Sequence, residues 1–299
     1  MKKRILSIIM AICLVLSCVP ITVFVANAAP AEQFNLTPGG TYWFDLSGEN
    51  IPGTVNTGNW VGAASVPDTT LHYVPFTYAG TVDAYVLNSS SSGQTGAAEA
   101  ASQTTDESGQ YGYTYPHSLF VADYAVTHTV EWDELNNAGL IFGKSYTGGS
   151  VDYILRAPSA GSWYTGSGDS RSGTPQSNEW DAVLDKNSGY IKNWYAMYSW
   201  GQDTLSSYSV YCAYRGYSSA RNWVYNSATL QSAYVGFRPV LEVLNTDTLG
   251  SDGLKAVTLD LNGGKLGGST DNIQIIVKNG AAFTAPASDG LIRPDGDTG

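Results

Sequence analysis

The chain has 299 residues, 15 basic and 26 acidic, for a net charge of −11, a balance that argues against nucleic acid or anionic membrane surfaces as partners. Only 14% of its residues are charged, while Gly, Ser, Thr, Asn and Tyr abound, a composition of secreted, turn-rich folds rather than cytosolic enzymes. Twenty tyrosines and eight tryptophans set the chemical character.

At the start, Lys2, Lys3 and Arg4 precede an apolar run from Ile5 to Val19, and Ala26-Asn27-Ala28 follows. A basic start, a hydrophobic middle and an Ala-x-Ala site read as a secretory signal peptide over residues 1–28, which places the protein outside the cell or on its surface. An uncleaved anchor is the alternative, since ~20 apolar residues are long enough to span a bilayer. Cys18 would suit a lipoprotein, but Leu16 is bulky for that site. Cleavage removes three basic residues and two cysteines, leaving 12 basic against 26 acidic residues, a balance of −14. Cys212 then has no intrachain partner, so neither a disulfide framework nor a cysteine-built zinc site is expected in the monomer.

Residues 29–250 are enough for one large domain with its own core. Within them, 89–109 is polar, small and unpatterned, and reads as an exposed loop. Leu119–Trp132 is strand-like by its β-branched and aromatic content, and Glu131–Gly139 predicts a short helix stopped by a left-handed Gly139. Arg156 and Arg238 stand between apolar neighbours at strand positions, where an arginine is costly unless paired. Partners such as Glu179, Asp181 or Glu242 give them a structural role, with ligand contact as the alternative. Trp180 and Trp223 read first as wedges under loops. In the last 43 residues, Val257, Leu259 and Leu261 alternate with polar residues, Asn262-Gly263-Gly264 supplies a turn, and Ile273–Val277 runs into Asn279-Gly280 before Phe283 and Pro286. Strand, turn, strand, turn is the expectation for 251–299.

Two family resemblances lie in these residues. The terminal segment resembles the Listeria-Bacteroides (internalin B-type) repeat, a small β-grasp-like module of bacterial surface proteins. It stops before the aromatic-Gly-Trp stretch usual there, so a truncated repeat is expected. Between 117 and 245, Tyr124-Ala125-Val126-Thr127, Asn178-Glu179-Trp180-Asp181, Arg215-Gly216 with Trp223, and Gly236-Phe237-Arg238 follow an order that resembles the formylglycine-generating-enzyme-like branch of the C-type lectin fold. The implied class is α+β and β-rich, a C-type-lectin-like central domain with a small partial β-grasp-like repeat.

No enzyme is expected. Copper-dependent members of that branch use two cysteines where this chain has Cys212 and Gly216, and one soft ligand does not hold copper(I). His72, His117 and His128 do not form a metal-ligand spacing, and pairs such as Asp181 with Asp185 or Asp133 with Glu134 are too ordinary to mark acid–base work. No cofactor is expected. A structural calcium at Asn178 and Asp181 is the one metal the resemblance allows. By contrast, the stretch from Trp194 to Tyr234 interleaves rings with Ser, Asn and Gly, the palette of an adaptable recognition surface. Tyr208, Tyr211, Tyr214, Tyr217, Trp223 and Tyr225 are the candidate contacts, with sheet packing as the competing explanation. The resemblance places a binding face in this late region. Recognition of an extracellular glycan or protein, or adhesion at the envelope, is the leading function. A structural spacer and a formylglycine-type oxidoreductase are the alternatives, and neither the ligand nor the oligomeric state can be read from the residues.

Overall fold

A computed structural model describes residues 29–57, 69–87, 113–205, 208–266, 269–282, 284, 287–288 and 290–294. The signal peptide read at 1–28, the loop read at 89–109, Phe283 and Pro286 lie outside the described residues. The described chain is β-rich. Its first part supplies strands Thr41–Phe44 (β1), Thr54–Val55 (β2), Val74–Val86 (β3), Tyr113–Ala122 (β4), Thr127–His128 (β5), Lys144–Gly148 (β6) and Val151–Arg156 (β7), with helix Trp132–Asn137 (α1) before β6. A hairpin of Trp163–Thr165 (β8) and Ser172–Thr174 (β9) leads to helix Glu179–Lys186 (α2). Strands Tyr198–Leu205 (β10), Tyr208–Gly216 (β11), Trp223–Ser227 (β12), Val235–Phe237 (β13) and Val240–Val243 (β14) follow, then helix Thr246–Leu249 (α3). The last elements are Leu254–Leu259 (β15), Lys265–Leu266 (β16), Ile273–Lys278 (β17) and Leu291–Ile292 (β18). Among the described residues no helix is long and apolar enough to cross a membrane.

Two six-stranded sheets carry the fold. The first runs β1-β3-β4-β14-β7-β6 and is antiparallel throughout; the second runs β12-β11-β10-β13-β5-β2, with β10 and β13 parallel. Alternation in the first sheet explains why its strands read as continuous apolar runs: both faces are buried. Phe76, Tyr78, Phe120 and Leu241 face a core shared with Trp200, Cys212, Tyr214 and Phe237 of the second sheet. Ala79, Leu119, Val121 and Val240 face the other way, onto Trp180, Val183 and Leu184 of α2.

The strand expected over Leu119–Trp132 is interrupted. After Ala122 the chain leaves the first sheet, and Thr127–His128 joins the second. The return crossing is Arg238-Pro239, between β13 in the second sheet and β14 in the first. Carbonyls freed at such crossings need donors. Arg238 supplies them, donating to Ala122 O at 2.8 Å, Asn193 O at 3.1 Å and Ser199 Oγ at 3.2 Å. The expected carboxylate partner of Arg238 is therefore corrected to a set of carbonyls and a hydroxyl. Burial lowers its pKa to about 10 against the opposing pull of Asp123.

Arg156 has the carboxylates expected of it. Its guanidinium is bidentate to Glu179 at 2.6 and 2.7 Å and reaches Glu242 at 2.7 Å, all fully or nearly buried. Glu179 opens α2, which is N-capped by Asn178 accepting the Asp181 N–H. His117 completes the cluster: Nε2 lies 2.7 Å from Glu179 Oε1 and Nδ1 lies 2.9 Å from the Tyr115 carbonyl, so both nitrogens face acceptors and the ring is an imidazolium. Burial pulls the His117 pKa down, but the Glu179 hydrogen bond and charge outweigh it and the net direction is up. Burial likewise pushes Glu179 up, and Arg156 with His117 overcomes it and holds the carboxyl at about 2.

The terminal segment forms the expected strands, β15 pairing with β17 from Leu254↔Lys278 to Leu259↔Ile273, with Asn262 and Gly263 left-handed in the turn. It does not build its core alone. Leu254 and Ile276 enter the main core, while Ile273, Ile275 and Val277 pack with Tyr73 and Trp43. The Lys278 N–H donates to Gly149 O at 2.8 Å, and a Cβ on Gly149, left-handed at φ +59°, would collide with the Ile276 carbonyl.

Glu179→Gln should destabilise the fold by ~3–5 kcal/mol, because it leaves Arg156 and His117 buried beside a lost charge. The contribution of His117 is complete below its unfolded value of 6.5 and is lost as pH rises through its higher folded value; that of Glu179 is complete above 4.5 and lost as pH falls through about 2. In urea titrations, the stability difference between wild type and His117→Gln should shrink as pH rises above 6.5. A difference that stays flat from mild acid to alkaline pH would contradict the imidazolium.

Candidate exposed aromatic strip

The strip is assembled on the outward face of the second sheet. Register pairs Ala213 with Tyr225, Arg215 with Trp223 and Tyr211 with Ser227, so these side chains share one face, and Cys212 and Tyr214 point into the core. Tyr211 and Tyr225 are diagonal neighbours with ring centroids 5.6 Å apart. Register shifts between β10 and β11 at Trp200/Thr204 and Thr204/Leu205 break strict alternation, and Tyr208 comes to 6.3 Å from Tyr211.

Trp223 lies beneath this face. It is 0% exposed, packs with Ala160, Leu205 and Ala213, and donates Nε1–H to Gly161 O at 2.9 Å. Tyr164 of β8 covers it at 5.3 Å, and Trp163 stacks on Tyr164 at 5.4 Å with 19° between planes. Tyr225 closes the chain of rings, 5.9 Å from Trp223. A continuous ladder thus runs Trp163, Tyr164, Trp223, Tyr225, Tyr211, Tyr208. Its outer members are open to solvent: Tyr208 is 64% exposed, Trp163 38%, Tyr225 37% and Tyr211 36%. Arg171 of the β8–β9 connection lies over the Tyr164 ring at 4.3 Å.

The six residues singled out from the sequence are therefore divided. Tyr208, Tyr211 and Tyr225 share the exposed strip. Tyr214 and Trp223 are buried, and burial removes them as direct contacts; Trp223 supports the strip from below. Tyr217 is left-handed at φ +77° and stacks on Tyr198 at 4.7 Å, near Tyr234, in a separate aromatic cluster. Trp163, Tyr164 and Arg171 were not anticipated. The one available clue was a Trp-Tyr pair set between turn residues, Gly161-Ser162 before it and Gly166 after.

Asn178 and Asp181, the pair named for a structural calcium, bind one another and two arginines. Asn178 Oδ1 accepts the Asp181 N–H at 2.9 Å. Asp181 Oδ1 accepts from Arg215 at 2.8 Å and Arg221 at 3.0 Å, and Oδ2 from Arg215 at 3.2 Å, Gly173 N at 3.0 Å and Asn178 Nδ2 at 2.8 Å. Both Asp181 oxygens are thus committed to protein donors, two of them guanidinium groups that stand where a cation would. The acid pairs weighed for catalysis also have other duties: Arg221 links Asp181 to Asp185, and Glu134 belongs to the capping box of α1. Asp203 is pushed up to about 6 by burial, against hydrogen bonds from Tyr85 at 2.5 Å and the Ala160 N–H at 2.6 Å. Both its oxygens are committed inside the fold.

Trp223→Ala should cost ~3–5 kcal/mol through the cavity it leaves, whereas Tyr208→Ala should change stability by no more than ~0.5 kcal/mol. Equal losses in urea unfolding would mean that the two rings do not divide into support and surface. Comparison with protein-family models, curated proteins and solved structures returned no match, so neither a fold family nor a ligand is supplied by a relative.

Proposed function

We propose that the chain is a secreted, non-catalytic recognition protein of the bacterial envelope, built on a C-type-lectin-like domain followed by a B-type repeat, and that it holds an extracellular glycan or protein on the Trp163–Tyr208 strip. The observation carrying this is the ring ladder itself. Its open rings, on the β11–β12 edge and the β8 hairpin, are backed by a buried tryptophan and bordered by Thr165 and Ser227. Rigid rings give contact area at low entropic cost, and small hydroxyl residues give adaptable hydrogen bonds. The lectin-like reading is supported by where the resemblance landmarks fall: Val126 and Thr127 lead into β5, Asn178 caps α2, and Gly236-Phe237-Arg238 forms the crossing between sheets.

A spacer role is the second reading, supported by the fusion of the terminal hairpin to the main core, which makes one stiff body of two modules. Arrays of glycans and host proteins discriminate the two. Recognition predicts a specific ligand whose affinity falls by about tenfold or more in a folded Tyr211→Ala/Tyr225→Ala variant. No specific ligand on either array would leave the spacer.

A further inference from the structure

The central domain contains eight lysines and arginines, all described: Lys144, Arg156, Arg171, Lys186, Lys192, Arg215, Arg221 and Arg238. Six are ion-paired to carboxylates, and Arg238 is held by carbonyls. Arg171 alone among them has no such partner among the described residues. Its guanidinium rests on the Tyr164 ring at 4.3 Å, and its Nε is buried with no hydrogen-bond acceptor. Carboxylates are also missing from the strands around it. No Asp or Glu occurs from 153 to 168 or from 204 to 241; Asp169, two residues before Arg171 in the β8–β9 connection, is the nearest acid in the sequence. Among the described residues, the strands of the strip thus carry no carboxylate, and Arg171 is a ring-positioned cation at one end with Asp169 nearby but not paired to it.

Resting on the recognition reading above, we infer that the ligand is an acidic glycan whose sugar rings lie on Trp163, Tyr225, Tyr211 and Tyr208 and whose carboxylate pairs with Arg171. The chemistry favours this occupant for three reasons. A guanidinium placed over a ring and not paired to a described carboxylate keeps N–H donors for bidentate pairing with a planar carboxylate. Aromatic faces with a hydroxyl border suit the apolar faces and hydroxyl groups of a pyranose. The net charge of −11 does not forbid it, because fields between exposed charges are screened beyond ~8 Å at physiological ionic strength. That same charge selects against dense polyanions, so the expected ligand carries its carboxylates singly, between or at the end of neutral sugars.

The test uses the full chain with two probe pairs: hyaluronan oligosaccharides beside their carboxyl-reduced form, and sialylated beside desialylated lactosamine. The first pair presents an internal uronic acid and the second a terminal sialic acid. At least one acidic probe should bind about tenfold more tightly than its neutral partner. That preference should vanish in Arg171→Gln and survive in part in Arg171→Lys, the acidic probe losing more affinity than its neutral partner in each. Matching thermal unfolding of the variants shows that each is folded; if Arg171→Gln is not, the lysine variant and the salt dependence of the wild-type preference decide. Equal binding of acidic and neutral probes, or an acid preference indifferent to Arg171, overturns the inference and leaves recognition by the strip intact. Binding of none of the four, with array hits confined to proteins, overturns the glycan assignment; no ligand on any array overturns the recognition reading as well.

Discussion

The fold depends on the first turn of α2. Two carboxylates one residue apart in an eight-residue helix reach in opposite directions, Glu179 to Arg156 on the first sheet and Asp181 to Arg215 on the second. All four side chains are fully buried. An arginine buried alone is prohibitive, so each sheet retains its arginine only if the helix sits in one place, and the helix sits there only if both sheets are assembled. Ion pairs of this kind add little net stability compared with apolar packing, but they penalise every alternative arrangement. The Asn178 cap, the Ser159 N–H donated to Glu179 and the Gly173 N–H donated to Asp181 complete the acceptor sites and leave little freedom to the joint.

With polar specificity concentrated there, the aromatic residues divide between two tasks. Phe44, Phe76, Phe120 and Tyr153 meet edge to face between the sheets, at centroid separations of 5.1 to 6.3 Å. The ladder from Trp163 to Tyr208 uses similar spacings on the outside. Trp223 belongs to both, since it is a core residue whose upper edge carries surface rings. Depth alone therefore separates a packing aromatic from a presenting one in this protein, and ring chemistry does not.

That is why the fold was more legible in the sequence than the strip. The helix at Glu131–Gly139, the paired state of Arg156, the buried Trp180 and the terminal strands all follow from local rules of capping, burial cost and period two. The crossing at Asp123–Val126 was hidden because the residues on both sides are apolar and β-branched, so nothing local marks the change of sheet. Arg238 was misassigned a carboxylate because the need for a partner is local and the identity of that partner is not. Tyr214 and Trp223 could not be told from Tyr211 and Tyr225 without the β11–β12 register. The contribution of β8 depends on a fold-back that sets Tyr164 on Trp223, far along the chain, and that no motif announces.

The seat of the terminal hairpin gives the molecule a mechanical polarity. The hairpin is joined to the first sheet through Trp43, Gly149 and the core around Ile276, whereas the strip belongs to the second sheet. A pull entering through the hairpin and a load held on the strip therefore act on different sheets and tend to shear one past the other. The bidentate contacts at Arg156 and Arg215 each tie one of the two sheets to α2. Sliding one sheet past the other would therefore have to break at least one of the short, desolvated charge pairs that α2 makes to each of them.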